Sequence, residues 1–178
     1  GRGRALATAW GASKADVVAY MDVDLSTDLE ALPALVAAVA VEGYDIAIGS
    51  RLSKGSQVVG RSFHREAISR AYSLLFRSMF LTGFRDAQCG FKALRGPVAR
   101  ELLPLVRDTG WFFDSELLIL AEKNGYRIKE VAVRWVDDPD SRVRIARTAW
   151  GDLKGLVRLR LGGLRAASRA LARSRGGK

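Results

Sequence analysis

Two strand-like runs, the continuous apolar Val17-Val18-Ala19-Tyr20-Met21 and the mainly apolar Tyr44-Asp45-Ile46-Ala47-Ile48-Gly49-Ser50, limit the fold of this chain more than any other feature. The first is closed by acids and the second by Arg51. Neither alternates apolar with polar residues, and such runs suit strands buried on both faces, as in a parallel sheet. Between them Asp28 can cap a helix over residues 29–41, with Pro33 in its first turns and Gly43 at its end. Another helix is predicted over 5–13. Helix, strand, helix, strand with short joints predicts an α/β fold, a mostly parallel, Rossmann-like sheet sandwiched by helices. Further on, 53–60 reads as a loop and 61–81 as a long helix with Ile68, Tyr72, Leu75, Phe76 and Met79 at helical spacing. A short strand is expected over 91–94 and helices over 97–106 and 115–123. Residues 127–135 alternate, with one offset, as a half-buried strand. Residues 137–141 form an acidic turn, and from about Val143 the chain reads as helical and basic.

Composition narrows the function classes. Hydrophobic residues are 48% and charged residues 27% of 178, which excludes an intrinsically disordered chain. The longest uncharged stretch near the middle, Ala31 to Val41, is too short for a spanning helix. A single cysteine, Cys89, gives no internal disulfide, and one Cys with one His, His64, makes a zinc site implausible. The net charge of +10 is carried entirely by residues 142–178, which hold eleven Lys or Arg and one acid, Asp152. Such a segment is an electrostatic partner site for lipid headgroups, nucleic acid or an acidic protein.

The acids that end the first strand are the strongest chemical signal. Asp22-Val23-Asp24 sits where open α/β sheets bind ligands, at the carboxyl end of a strand. Two carboxylates there suit a hard divalent ion, Mg²⁺ or Mn²⁺, which also takes phosphate oxygens; a solvated acidic turn is the plainer alternative. Arg51 lies at the end of the second strand and Arg65 after a Gly/Ser loop. Their guanidinium forks suit phosphate, or pair with Glu66 or Asp86. Trp111-Phe112-Phe113-Asp114-Ser115-Glu116 places aromatics before two acids at a helix start, a pattern that serves a sugar site or simple capping equally well. Asp86-Ala87-Gln88-Cys89-Gly90-Phe91-Lys92 is by composition an ordinary loop running into a strand.

Taken in order, these residues resemble glycosyltransferase family 2, and within it the polyprenyl-phosphate (dolichol-phosphate) mannosyl- and glucosyltransferases. Gly1-Arg2-Gly3-Arg4-Ala5 resembles the glycine-and-basic segment that opens a helix, and Ala19 to Ser26 the metal-binding Asp-x-Asp strand end. Gly49-Ser50-Arg51, Arg65 and Ser69 resemble the phosphate-binding residues, and Asp86 to Lys92 the Asp-x-x-x-Gly-Phe-Lys/Arg segment. Phe113 to Leu118, Gly125 to Val131, Trp135 and Ser141-Arg142 follow at family spacing. The resemblance implies a GT-A-like fold, with a catalytic domain over 1–145 and a basic amphipathic tail over 146–178 on a membrane surface. It implies hexose transfer from a nucleotide sugar of GDP-mannose or UDP-glucose type to a polyprenyl or dolichyl phosphate, metal-dependent and inverting. It assigns Asp22, Asp24 and Ser26 to Mg²⁺ or Mn²⁺, and Asp24, Arg51 and Arg65 to catalysis. Ser69, Asp86, Gln88, Lys92, Asp114, Glu116 and Arg142 are assigned to substrate. Ser26 stands where many relatives have Gln and is expected to act through water. The family's first strand and helix, which hold the nucleotide base, are not in this sequence, so the piece alone is expected to be inactive.

In the tail, Trp150, Leu153, Val157, Leu164 and Leu171 fall on one side, interleaved with Arg147, Lys154, Arg158, Arg165 and Arg169. This pattern predicts a peripheral helix at an anionic membrane surface, on the cytoplasmic side. Three other readings compete. One is a family 2 enzyme of cell-wall polysaccharide synthesis with a sugar-hydroxyl acceptor, for which Asp114 or Glu116 would be the general base. A non-catalytic lipid-binding scaffold is the second. The third is an RNA-binding module, which is disfavoured because no aromatic–basic recognition sheet is apparent and no nucleic-acid partner is expected.

Overall fold

The computed structural model describes residues 1–137 and 145–177. Strands β1 (Val17–Met21), β2 (Ile46–Ser50), β4 (Phe91–Arg95) and β5 (Ile128–Ala132) form the main sheet in the order β1-β4-β2-β5. β2 and β5 pair in parallel, whereas β4 runs antiparallel to both β1 and β2. Three of the four strands therefore point the same way, with β4 inverted between two of them. Both runs that lead into the acids and Arg51 end at the same edge of the sheet.

Period-two alternation assigns the sheet its two cores. On one face Ala47, Phe91 and Ala93 pack against Leu35, Ala38 and Val39 of helix α2 (Leu32–Ala40). Asp28 caps the 3₁₀ turn that leads into α2, accepting from the Glu30 amide at 3.0 Å. On the other face Val18, Ile46, Ile48 and Leu94 meet Trp10 of α1 (Arg2–Ala12), Phe76 and Phe80 of α3 (Phe63–Phe80), and Leu117 to Ala121 of α5 (Phe113–Lys123). α4 (Gly96–Leu102) adds Val98, Ala99 and Leu102 to that side. The result is the expected sandwich of helices around a sheet.

Three expectations need correction. β1 is an edge strand and only Val18 of its five residues is buried, because nothing pairs with its outer side among the described residues. The predicted loop 53–60 contains a short strand, β3 (Gln57–Val59). The single strand expected over 127–135 is two: the chain leaves the main sheet after Ala132, and β6 (Arg134–Val136) pairs in parallel with β3. Val133, between them, is buried in the α2-side core. The isolated strand-forming preference of 127–135 is right; the change of partner depends on β3, whose pattern is too short to read.

The tail joins this body. α6 (Ile145–Arg158) and α7 (Leu164–Gly176) are separated by a π-type kink over Leu159–Gly163, where Gly162 has φ of 144°. Leu156, Leu159, Ala167 and Leu171 belong to the same buried cluster as β1, β2 and β4. Gly155 allows the closest approach: a Cβ there would lie 2.3 Å from the Phe112 ring, so only glycine lets α6 settle on that ring. Leu164 and Leu171 thus face the domain, and the exposed apolar stripe consists of Trp150, Leu153, Val157 and Leu161. The predicted stripe mixed the two faces because the kink rotates α7 relative to α6.

Candidate functional site

A cavity of about 420 Å³ opens at the carboxyl ends of β1 and β2. Its wall includes Asp22, Asp24, Ser26, Arg51, Arg65, Ser69 and Gln88, all expected from sequence to face ligand. The two acids and both arginines therefore share one rim. Arg2, Arg61, Tyr72, Trp111, Trp135, Asp137 and Asp152 complete most of the remainder.

Asp22 is set by the ladder. Its amide donates to the Gly90 carbonyl at 2.8 Å, one step beyond the Met21–Phe91 pair, so the two residues face one another across the strands. The carboxylate occupies the space a side chain at position 90 would fill: a Cβ on Gly90 would sit 1.7 Å from Asp22 Oδ2. The chain then turns, with the Leu25 amide donating to the Asp22 carbonyl at 3.1 Å and the Ser26 amide to Asp24 Oδ1 at 3.1 Å. Leu25 takes φ of 51°, a left-handed backbone that is costly for a branched apolar residue and is found here at the site itself. Burial raises the Asp22 carboxyl above its usual range, against the opposing pull of Arg2 and Lys92.

Arg2 links the front of the site to its back. It donates to Asp22 Oδ1 at 3.0 Å and to Asp114 Oδ2 at 2.5 Å, and its guanidinium lies over the Trp111 ring at 4.8 Å. Asp114 is fully buried, takes Tyr20 Oη at 2.5 Å, and lies 3.2 Å from Lys92 Nζ. Lys92 is likewise completely buried and also donates to the Cys89 carbonyl. Lys92 and Asp114 thus form a buried pair behind the cavity wall that holds Arg2 and Tyr20.

Asp86 acts on the other side. It accepts three bonds from Arg51, from Nε at 2.8 Å, Nη2 at 2.9 Å and the backbone amide at 2.9 Å. It also accepts the Gln88 and Cys89 amides, while the Arg85 and Asp86 amides donate to Glu130. Burial alone would raise the Asp86 carboxyl, but Arg51 more than offsets that and holds it at about 2. Arg51 so fixed stacks over Trp135 at 5.3 Å, and Arg61 lies over the same ring at 5.5 Å. Burial and the neighbouring Arg51 lower the Arg61 pKa, and its Nε has no hydrogen-bond partner among the described residues. Arg61 also donates to Ser69, and Arg65 pairs with Asp137 at 2.7 Å.

The structure redistributes several sequence assignments. Asp86, Lys92 and Asp114 stand behind the wall, where Asp86 holds Arg51 and Asp114 holds Arg2 against the cavity, while Lys92 pairs with Asp114. Glu116 is the clearest correction: it lies away from the cavity and receives Arg158 of α6 through two bonds, at 2.9 and 2.7 Å, plus the Asp108 amide at 2.9 Å. Its work is to fasten the tail, because a buried carboxylate at a helix start needs such donors. Arg142 lies outside the described residues. Arg61 and Asp152 were missed as site residues: Arg61 has no motif around it, and Asp152 is an isolated acid in a basic segment.

The donor chemistry fits a hard divalent cation. Asp22 and Asp24 give carboxylate oxygens at a cavity rim rich in guanidinium groups, and Mg²⁺ is commonly held by one or two carboxylates plus waters and phosphate oxygens. Among the described residues no group of three or more His, Cys, Asp or Glu gathers into an all-protein cage.

Fold and cavity together define an α/β domain that gathers acidic and basic side chains at the carboxyl ends of its strands. The chain belongs to glycosyl transferase family 2, whose sequence profile matches residues 1–103. It is 39% identical over 151 residues to glycosyltransferase AglD of Haloferax volcanii, covering 85% of this chain and 24% of that protein. It is 33% identical over 124 residues to a dolichyl-phosphate beta-glucosyltransferase of Dictyostelium discoideum, covering 67% and 38%. An undecaprenyl-phosphate mannosyltransferase of Micrococcus luteus is 33% identical over 130 residues, covering 72% and 53%. The chain thus spans between about a quarter and half of the length of these relatives.

Proposed function

We propose that this chain carries the transfer of a hexose from a nucleotide sugar to a polyprenyl phosphate. The observation that supports it most is the meeting of Asp22 and Asp24 with Arg2, Arg51, Arg61 and Arg65 in one cavity. Both substrates are anionic and must touch. At ~4 Å two unit charges repel by ~4 kcal/mol at an effective dielectric of 20. Four guanidinium groups lining the cavity offset that repulsion, and the buried Asp86 and Asp114 keep two of them aimed. A divalent ion held by Asp22 and Asp24 would neutralise the leaving diphosphate.

In the transfer an acceptor phosphate oxygen attacks the anomeric carbon, the carbon–oxygen bond to the diphosphate breaks, and the nucleoside diphosphate leaves with both electrons. The acceptor is already ionised near pH 7, so no general base is required. Asp114 and Glu116, the acids a hydroxyl acceptor would need, stand outside the cavity lining and are already paired, Asp114 with Arg2 and Lys92 and Glu116 with Arg158. A single displacement inverts the anomeric centre. The test is transfer of radiolabelled glucose from UDP-glucose, or mannose from GDP-mannose, to a short polyprenyl phosphate with Mg²⁺. Asp22→Ala is expected to lower turnover by at least ~100-fold; unchanged turnover would remove the acids from the reaction.

The same reading places the protein peripherally at an anionic, cytoplasmic membrane face. No helix among the described residues is long and apolar enough to cross a membrane. The support is the exposed stripe of Trp150 (59% exposed), Leu153, Val157 and Leu161 (82%), flanked by Lys154, Arg160 and Arg165. Each basic residue near such a surface contributes about 1 kcal/mol. Co-sedimentation is expected to favour phosphatidylserine over phosphatidylcholine vesicles, and the W150E/L161E double variant is expected to bind at least ~10-fold more weakly. Equal binding by the variant would point to another surface.

A further inference from the structure

Helix α6 delivers to the cavity a group that the transfer step does not use. Asp152 is the one acid of residues 142–178, and it is only 3% exposed although it lies on a helix whose opposite face is open. Its Oδ2 accepts from Gln88 Nε2 at 2.6 Å, and its Oδ1 is buried without a hydrogen-bond partner among the described residues. A buried carboxylate oxygen left in that state is costly, and a donor from a ligand removes the cost. Burial also pushes the carboxyl up to about 6, in spite of the Gln88 bond.

The chemistry of the wall says which donor. The arginines that line the cavity attract phosphate, and a carboxylate repels it, so the anionic parts of a ligand and Asp152 keep apart. What remains for Asp152 is a neutral, hydroxyl-bearing part. Gln88, held between the Asp86 loop and Asp152, adds an amide, and the half-exposed Trp111 presents an aromatic surface to the same cavity. Carboxylate, amide and aromatic ring are the groups that recognise a sugar, its hydroxyls by hydrogen bonds and its C–H face by contact.

We propose that Asp152 and Gln88 form the hexose subsite, with Asp152 Oδ1 accepting a hydrogen bond from a hydroxyl of the donor sugar. This rests on the nucleotide-sugar reading given above. It makes the basic C-terminal segment a contributor to sugar specificity, since a site built to accept from a hydroxyl rejects a sugar that cannot offer one in that place.

Calorimetric titration separates this inference from the reading it rests on. The probes are UDP-glucose against UDP, and GDP-mannose against GDP, with Mg²⁺ present. For Asp152→Ala, affinity for whichever sugar nucleotide the wild-type protein binds is expected to fall ~10- to 100-fold, while the matching nucleoside diphosphate stays within about twofold. Asp152→Asn, which keeps one acceptor oxygen, is expected to lose less than about tenfold. Equal losses for nucleotide and sugar nucleotide in both variants would show that Asp152 only seats α6, and no loss for either would show that it does not touch the hexose. Both results overturn the subsite and leave the nucleotide site standing. Failure of both nucleoside diphosphates to bind the wild-type protein would overturn the nucleotide-sugar reading, and the subsite with it.

Discussion

Gly90→Ala is expected to reduce transfer by at least ~100-fold while leaving the fold nearly as stable as before. A methyl group at position 90 would sit 1.7 Å from Asp22 Oδ2 and 2.1 Å from its Cγ, so the carboxylate has to leave its place. The backbone loses nothing, because the bond from the Asp22 amide to the Gly90 carbonyl does not involve the new atom. The clash is with the end of a side chain that can rotate, so the stability cost stays within about 1 kcal/mol. The displaced carboxylate would give up its 3.0 Å contact with Arg2 and its place beside Asp24. The readout is transfer turnover together with the urea midpoint. Retained turnover in a folded variant would show that the position of Asp22 is immaterial.

The largest effect on stability is expected from Asp86→Ala. Asp86 and Arg51 are both largely buried, and removing one partner of such a pair leaves an uncompensated charge, at a cost of about 3–5 kcal/mol. The Gln88 and Cys89 amides lose their acceptor as well. The pH dependence gives a second, independent readout. The folded-state carboxyl sits at about 2, below its value of about 3.9 in an unfolded chain. Its contribution is therefore complete above pH ~4 and is lost as the pH falls toward 2, an amount on the order of 2 kcal/mol. Urea unfolding of wild type and variant is expected to differ most near neutrality, with the gap narrowing from pH 4 to pH 2. A constant gap would mean that the carboxylate is not what Arg51 relies on.

Most of the architecture could be read from local pattern. The capped helix between two apolar runs, the long helix after the Gly/Ser loop and the strand entered from Gly90 are all encoded in stretches shorter than about twenty residues, where periodicity and capping act. The rim of Asp22, Asp24, Arg51 and Arg65 was legible for the same reason: each sits at or just past the end of an element. What local pattern could not supply was pairing. β1 looks like a central strand because its residues are apolar, yet its neighbours are set by β4, which enters from seventy residues further on. The division of the acids into those that face the cavity and those behind it is also a tertiary matter. Asp22 and Asp114 are of the same residue type; only the partners brought by Tyr20, Lys92 and Arg2 make one a wall residue and the other its support. Glu116 and Asp152 complete the lesson, since both depend on how α6 lies across Phe112, and that rests on Gly155.

Val133 is a one-residue hinge of connectivity between the two sheets. Because side chains alternate faces along a strand, the span from Ala132 to Arg134 determines which way the indole of Trp135 turns. That ring is the surface against which Arg51 and Arg61 stack. The constraint at this point of the chain is thus on length more than on identity. Another small apolar residue could take the place of Val133, whereas dropping one residue would turn Trp135 to the opposite face, put Val136 in place of the ring and leave two guanidinium groups with nothing flat to lean on.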